Sequence, residues 1–410
     1  MRRHGSPKQT EKVLVTASPF LALPGAVNGS GDTLGVAAHY GNPLREQRLL
    51  VGGAVVDLSH RGVISVTGPD RLSWLDSVTS QSLKQLAAGS SAETLLLDPS
   101  GRVEHAIRVF DDGVTAWLLV DGGEVEALTA WLLRMRFMLR VEIADRSVEL
   151  ATVGWMPGSD EQGAPGAGVE AGIEEFAAAE NGVAVTWADP WAEVVAGGHQ
   201  YAEIDEHPGA EWRWRETLVP RDSLGALADA VRRGELQVAG ALAAEALRIA
   251  AWRPRLSTEA DEKLIPHEVD WIRSAVHLNK GCYRGQETVA KVHNLGHPPR
   301  RLVMLHLDGS DAVLPAPGDE VLVPASATVL ATTPDAPDTV VGLITSSALH
   351  FELGPIALAL VKRTTPVEAV LAVSSESIRV AANQEIIVPP EAGAAVGRIP
   401  RLPRLGAQRR

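Results

Sequence analysis

The chain has 410 residues, 45% of them hydrophobic and 4% aromatic, and its 51 acidic against 38 basic residues leave a net charge of −13. That length exceeds one ordinary domain, and the apolar share suffices for cores packed mainly by Leu, Val, Ile and Ala. The acidic balance speaks against strong general nucleic-acid binding, because cations that neutralise phosphate supply most of that affinity, and no run reaches the apolar length of a membrane span.

Residues 1–35 read as a flexible N-terminal arm, punctuated by Pro24, Gly25, Gly29, Ser30 and Gly31. Its apolar stretch is broken by Ser18, Pro19 and Pro24 and is too short for a signal-peptide core, so a cytoplasmic location is expected. Ordered structure is expected from Leu50. Residues 62–67 alternate like a strand, and Gly68-Pro69-Asp70 opens a helix with Leu72, Leu75 and Val78 on one face. Strands at 103–110 and 114–120 are joined by the hairpin signal Asp111-Asp112-Gly113. A helix follows from Val125 to Met135. Residues 156–181, rich in Gly, Ala, Pro and Glu, read as a surface excursion. Another helix covers 240–251, with Leu242, Ala246 and Ile249 expected inward. Beyond Arg301, short β-rich runs at 302–307, 320–323, 327–332, 339–346, 356–362 and 367–372 predict a small barrel or sandwich. The mixture makes the fold class α+β.

Cys282 is the single cysteine. It excludes an internal disulfide, and one thiol cannot complete a metal site, so no stably bound metal is expected. It lies in Lys280-Gly281-Cys282-Tyr283-Arg284-Gly285-Gln286-Glu287. Gly281 and Gly285 permit turns closed to other residues, and Gln286 onward suits a short helix ending at Asn294-Leu295-Gly296. A thiol just before a helix N-terminus, near Lys280 and Arg284, is favoured as thiolate; the alternative is a small buried hydrophobe. So many polar groups between glycines read as a turn that lines a pocket.

This octapeptide resembles the signature of the YgfZ family, which is itself similar to the folate-binding T-protein of the glycine cleavage system. The likeness extends, in family order, through Asp57-Leu-Ser-His-Arg-Gly62, Val66-Thr-Gly-Pro-Asp70, Leu247-Arg-Ile249, Ile265-Pro-His-Glu268, Arg300-Arg-Leu-Val303 and Gly342-Leu-Ile-Thr-Ser346, about residues 38–372. The resemblance implies a ring of three subdomains around a channel that holds tetrahydrofolate. Residues 36–300 would form two interleaved α+β subdomains, 301–375 a C-terminal β-barrel and 376–410 an extension with a basic tail. It also implies assembly or repair of iron–sulfur clusters, including those of tRNA-modifying enzymes, with iron–sulfur enzymes or assembly factors as partners.

Residue by residue, the resemblance makes Cys282 a redox or transient-ligand thiol. His105, Arg248, Glu268, Tyr283, Gln286 and Glu287 are the expected folate contacts, and Lys280, Gly281, Arg284 and Gly285 complete the motif. His105 shares strand parity with Val103, Ile107 and Val109, so it points either into a pocket or into a core where a backbone carbonyl satisfies it. Arg248 pairs either with a folate carboxylate or with solvent. Glu268 has the same two readings. Lys291, His293, His297, Arg300 and Arg301 form a basic patch, for a polyglutamate tail or an acidic partner, or else a solvated face. Two departures stand out. His105 or Ala106 occupies the place of the T-protein's catalytic aspartate, and no Gly-Tyr-Thr-Gly-Glu segment is present. Both weigh against the alternative reading of a folate-dependent one-carbon transferase or demethylase; the net charge weighs against a direct tRNA-binding module.

Overall fold

The computed structural model describes residues 17–158, 167–310, 312–324, 338–376 and 378–396. The expected strand at 327–332, the tail at 401–410, residues 1–16 of the arm and residues 159–166 of the excursion lie outside the described residues.

The described part of the arm is built into the molecule. A short 3₁₀ turn at Pro19–Ala22 is capped by Ser18 and buries Phe20, and β1 (Val27–Asn28) pairs with β2 (Ala37–His39). Helix α1 (Pro43–Val51) follows, with the Asn42 side chain accepting from the Arg45 amide at its N-terminus. Order therefore begins well before Leu50, because Phe20 and Leu23 find an apolar cluster to fill.

Two five-stranded sheets interleave along the chain. β3 (Val55–Asp57) belongs to the second sheet. The first comprises β4 (Gly62–Thr67), β5 (Ser90–Leu97), β6 (Val103–Asp111), β7 (Thr115–Val120) and β8 (Glu142–Asp145) in the order β5-β6-β7-β4-β8. Helices α2 (Arg71–Val78) and α3 (Val125–Met135) cover its outer face. The chain then returns to the second sheet with β9 (Leu150–Trp155), α4 (Ala167–Glu174), β10 (Thr186–Ala188), β11 (Arg215–Pro220), α5 (Leu224–Arg232) and β12 (Val238–Ala239). The order is β10-β11-β9-β3-β12, with only β12 parallel to its neighbour. Helices α6 (Ala241–Ala250), α7 (Leu256–Glu259) and α8 (Gln286–Leu295) lead to the barrel.

The barrel is closed by six strands: β13 (Arg300–Leu307), β14 (Glu320–Val323), β15 (Thr339–His350), β16 (Gly354–Lys362), β17 (Leu371–Ser375) and β18 (Ile378–Ile386). β18 pairs with both β17 and β13 and so removes both edges. The expected boundary at 375 misses that closing strand. Period-two alternation places Val303 and Leu305 inside the barrel, while Leu302 and Met304 face a large central apolar cluster. Residues from both sheets, including Val63 and Val56, reach the same cluster. Two sheets and a barrel thus share one core, an α+β fold with a C-terminal barrel.

Candidate functional site

A cavity of about 250 Å³ opens where the three bodies meet. Its wall takes Arg108 from β6, His60 and Arg61 from the turn after β3, Trp212 and Trp214 from the approach to β11 and Glu216 within it, Glu245 and Arg248 from α6, Arg255 after α6, and Ser346 and Ser347 from β15. Strand parity explains the β6 contribution. Ile107 and Val109 pack under α2 and α3, so Arg108 between them faces inward.

The polar groups here are buried and only partly paired. Glu216 is buried, receives hydrogen bonds from Arg61 and from Trp214 Nε1 at 2.9 Å, and lies 3.7 Å from Arg108 Nε. Its Oε2 has no partner. Burial alone would raise the Glu216 carboxyl, but Arg108 and Arg61 outweigh it and hold the group below the usual carboxylate range. Arg108 Nη1, Arg255 Nε and His60 Nδ1 also lack partners. Burial, helped by Arg61, pushes the His60 imidazole down to about 3, so it is neutral near pH 7. Trp212 and Trp214 stack at 5.2 Å with planes 16° apart. Buried polar atoms are almost always paired, so four residues that each keep an unpaired polar atom and line one cavity beside stacked indoles mark it as the candidate site for a flat ligand with polar edges.

The sequence-predicted residues fall elsewhere, with one exception. Arg248 does reach the cavity wall, but its guanidinium is committed to Glu245 at 2.6 and 3.0 Å, to Glu259 at 3.0 Å and to the Arg253 carbonyl. Its neighbour Leu242, expected inward, is 47% exposed and lies at the cavity rim. His105 is on the opposite face of β6 from Arg108 and pairs through Nδ1 with Glu124 at 2.9 Å. A bulge between Leu96 and Leu97 explains part of the error: it turns Val103 to the central cluster, away from Ile107 and Val109. Glu268 is fully buried and joins the barrel, receiving hydrogen bonds from Arg300 at 2.8 and 2.9 Å.

The octapeptide lines none of the principal cavities. Lys280 turns inward and donates to the carbonyls of Asp76, Thr79 and Gln81. Tyr283 is buried in the central cluster, and burial raises its phenol well above the usual range. Arg284 pairs with Glu104 at 2.6 Å, Gln286 donates to the Lys280 carbonyl at 3.3 Å, and Glu287 is exposed. Cys282 is exposed, so the buried-hydrophobe alternative falls; both cations expected to favour its thiolate are bonded to other oxygens. Gly281 has neither a positive φ nor a close neighbour, whereas Gly285 has φ +83 and a Cβ there would lie 2.6 Å from the Asp98 carbonyl. Of the basic patch, Lys291 is exposed, but Arg301 is buried in the barrel, Arg300 is paired, His297 bonds the Ala392 carbonyl and His293 the Tyr201 hydroxyl.

The cavity residues that sequence reasoning missed carried weak signals. His60 and Arg61 sit within the Asp57–Gly62 segment, and Trp212-Arg-Trp214-Arg-Glu216 alternates so that two indoles and a carboxylate share one face.

No family model matches the chain. It is 23% identical over 265 residues to a chloroplastic protein of Arabidopsis thaliana named as a transferase, a match covering 62% of this chain and 56% of that one. It is 25% identical over 261 residues to a mitochondrial iron–sulfur cluster assembly factor homologue of Cryptococcus neoformans, covering 62% and 66%. The chain thus spans somewhat less than two thirds of these relatives. A shorter match, 32% over 113 residues and 27% of this chain, is to a protein of Pyrococcus horikoshii named as an aminomethyltransferase, of which it covers 28%. The structure superposes on the glycine cleavage system aminomethyltransferase T from Bartonella henselae with TM-score 0.65 at 17% identity, over 90% of this chain and 95% of that one. At that identity the likeness is one of fold.

Proposed function

We infer, for a chain that is YgfZ-like in sequence and T-protein-like in fold, a tetrahydrofolate-binding protein that supports assembly or repair of iron–sulfur clusters. The observation that carries the folate half is the set of unpaired polar atoms around the stacked indoles. A pterin is flat and presents adjacent N–H donors on one edge; the far end of a folate carries carboxylates. Glu216 Oε2 suits the donor edge, Trp212 and Trp214 suit the ring face, and Arg108 and Arg255 suit a carboxylate. A bound reduced folate would supply a carrier for one-carbon groups. The cluster half rests on the Cryptococcus relative and on Cys282, an exposed thiol suited to redox or transient ligation of cluster iron. Clients that modify tRNA, and a cytoplasmic location in keeping with one cysteine, complete the reading; among the described residues no helix is long and apolar enough to cross a membrane.

Anaerobic calorimetry with tetrahydrofolate tests the pocket. Wild type and Cys282→Ala should bind alike, and Glu216→Gln should bind at least about tenfold more weakly, since a charge-assisted bond is lost. No heat of binding to wild type would sink the folate assignment. Full restoration of iron–sulfur enzyme activity by Cys282→Ala in a deletion strain would remove the thiol role. Turnover of a methylated or aminomethylated amine to methylene-tetrahydrofolate by the pure protein would replace maturation with one-carbon transfer.

A further inference from the structure

Residues 133–140 read Leu-Arg-Met-Arg-Phe-Met-Leu-Arg, and all are exposed. They carry the chain beyond α3 and back toward β8. Phe137 is 87% and Met138 94% exposed, the most exposed large apolar side chains among the described residues. Leu133, Met135 and Leu139 are exposed beside them. The segment is anchored at both ends. Leu132 and Val141 are buried in the cluster under α3. Arg140 clasps Asp70 through its amide at 2.9 Å and its guanidinium at 3.0 and 2.7 Å. Phe137 holds φ 48, a left-handed conformation unfavourable for an aromatic residue. The apolar side chains are presented on a protrusion tied down at both ends.

Charge runs against the rest of the molecule. No acidic residue lies between Glu126 and Glu142, within a chain of net −13. Arg134 and Arg136 are exposed and have no carboxylate partner among the described residues. None of its residues lines a principal cavity. Five apolar side chains cover a few hundred Å², well short of the roughly 800 Å² per partner of a stable protein interface. Two copies meeting tip to tip would set arginine against arginine. A fluid surface needs no matching groove: it admits Phe, Met and Leu at the acyl boundary while arginines reach anionic headgroups.

We propose that the 133–140 tip is a reversible docking site for an anionic lipid surface. The chain's negative charge acts against this contact only within a Debye length of about 8 Å, which makes the binding weak and salt-sensitive.

The test is co-sedimentation of the full chain with phosphatidylglycerol–phosphatidylcholine vesicles and with pure phosphatidylcholine, at low and high salt. The expected result is retention on the anionic vesicles at low salt alone. Phe137→Asn with Met138→Ser should cut the bound fraction at least about tenfold, and each of Arg134→Gln and Arg136→Gln about fivefold. Asn suits the left-handed φ and the replaced side chains are exposed, so thermal unfolding of these variants should match wild type. A Met138→Trp protein should show a blue-shifted emission on the anionic vesicles. Absence of wild-type retention, equal retention by the double variant, or capture of an acidic protein by the tip without vesicle binding would each overturn the proposal.

Discussion

At the residue scale, Asp270 contributes a pH dependence that a single substitution can isolate. It is fully buried with φ 56, its Oδ1 accepts from the Tyr201 amide at 2.9 Å, and its Oδ2 has no partner. Burial raises its carboxyl to about 7, against the opposing pull of backbone donors and Arg273. The native state therefore keeps a proton that the unfolded chain releases near pH 4. The stabilisation is complete below that pH and is lost as pH rises through about 7, a swing of roughly 4 kcal/mol. Asp270→Asn should abolish the swing, because a neutral amide replaces the neutral acid and Asn tolerates the left-handed backbone. Chemical denaturation should show a gain of about 2–4 kcal/mol near pH 8 and little change near pH 4. His60, His207 and His267, whose imidazoles burial pushes down to about 3, act in the opposite sense over the same window. The readout is therefore the difference between the two proteins, and a difference that stays constant from about pH 4 to pH 8 would refute the assignment. Nothing in Val269-Asp270-Trp271 advertises this, since burial comes from segments distant in sequence.

At the element scale, the two glycines of the octapeptide separate what the motif does. Gly285 caps α8 in a left-handed conformation against the Asp98 carbonyl and Gly101, locking the helix to the turn after β5. Gly285→Ala should cost about 1–3 kcal/mol, while Gly281→Ala should stay within about 0.5 kcal/mol by urea titration. Equal effects would contradict the geometry. Lys280 does comparable work, donating to carbonyls at the end of α2 and just beyond it. The motif was legible as a glycine turn before a helix. Its facing was not, because whether a polar turn lines a cavity or clasps a neighbouring element depends on what packs against it.

For the whole molecule, buried ionic networks join the bodies. Glu259 is the most connected: it accepts from Thr345 Oγ1 at 3.1 Å and Ser346 Oγ at 2.7 Å on the barrel, and from Arg248 Nη1 at 3.0 Å on α6. Arg253 likewise ties Glu93 on β5 to Asp189 after β10, at 2.7 and 2.9 Å. Glu259→Gln would leave Arg248 with one carboxylate and strip a charge-assisted bond from the barrel. About 3–5 kcal/mol should be lost, with the barrel separating as an earlier transition in guanidinium unfolding. A single cooperative transition at unchanged midpoint would show that the apolar cluster alone holds the seam.

Sequence by itself determined the α+β class, the Asp111–Gly113 hairpin, α3 to the residue and a β-rich C-terminal barrel, because periodicity and turn chemistry are local properties. It also determined the family resemblance through one octapeptide. Tertiary structure alone decided where the candidate site lies. Arg108, the Trp212–Glu216 segment with its paired indoles and carboxylate, and Arg255 are separated by long stretches of chain and converge only when two sheets and a barrel close on each other. The same closure turned Glu268 and Arg301 inward, folded the described part of the arm onto the second sheet and made β18 a barrel strand. Which polar group is left without a partner is a property of packing, and packing is not written in any single segment.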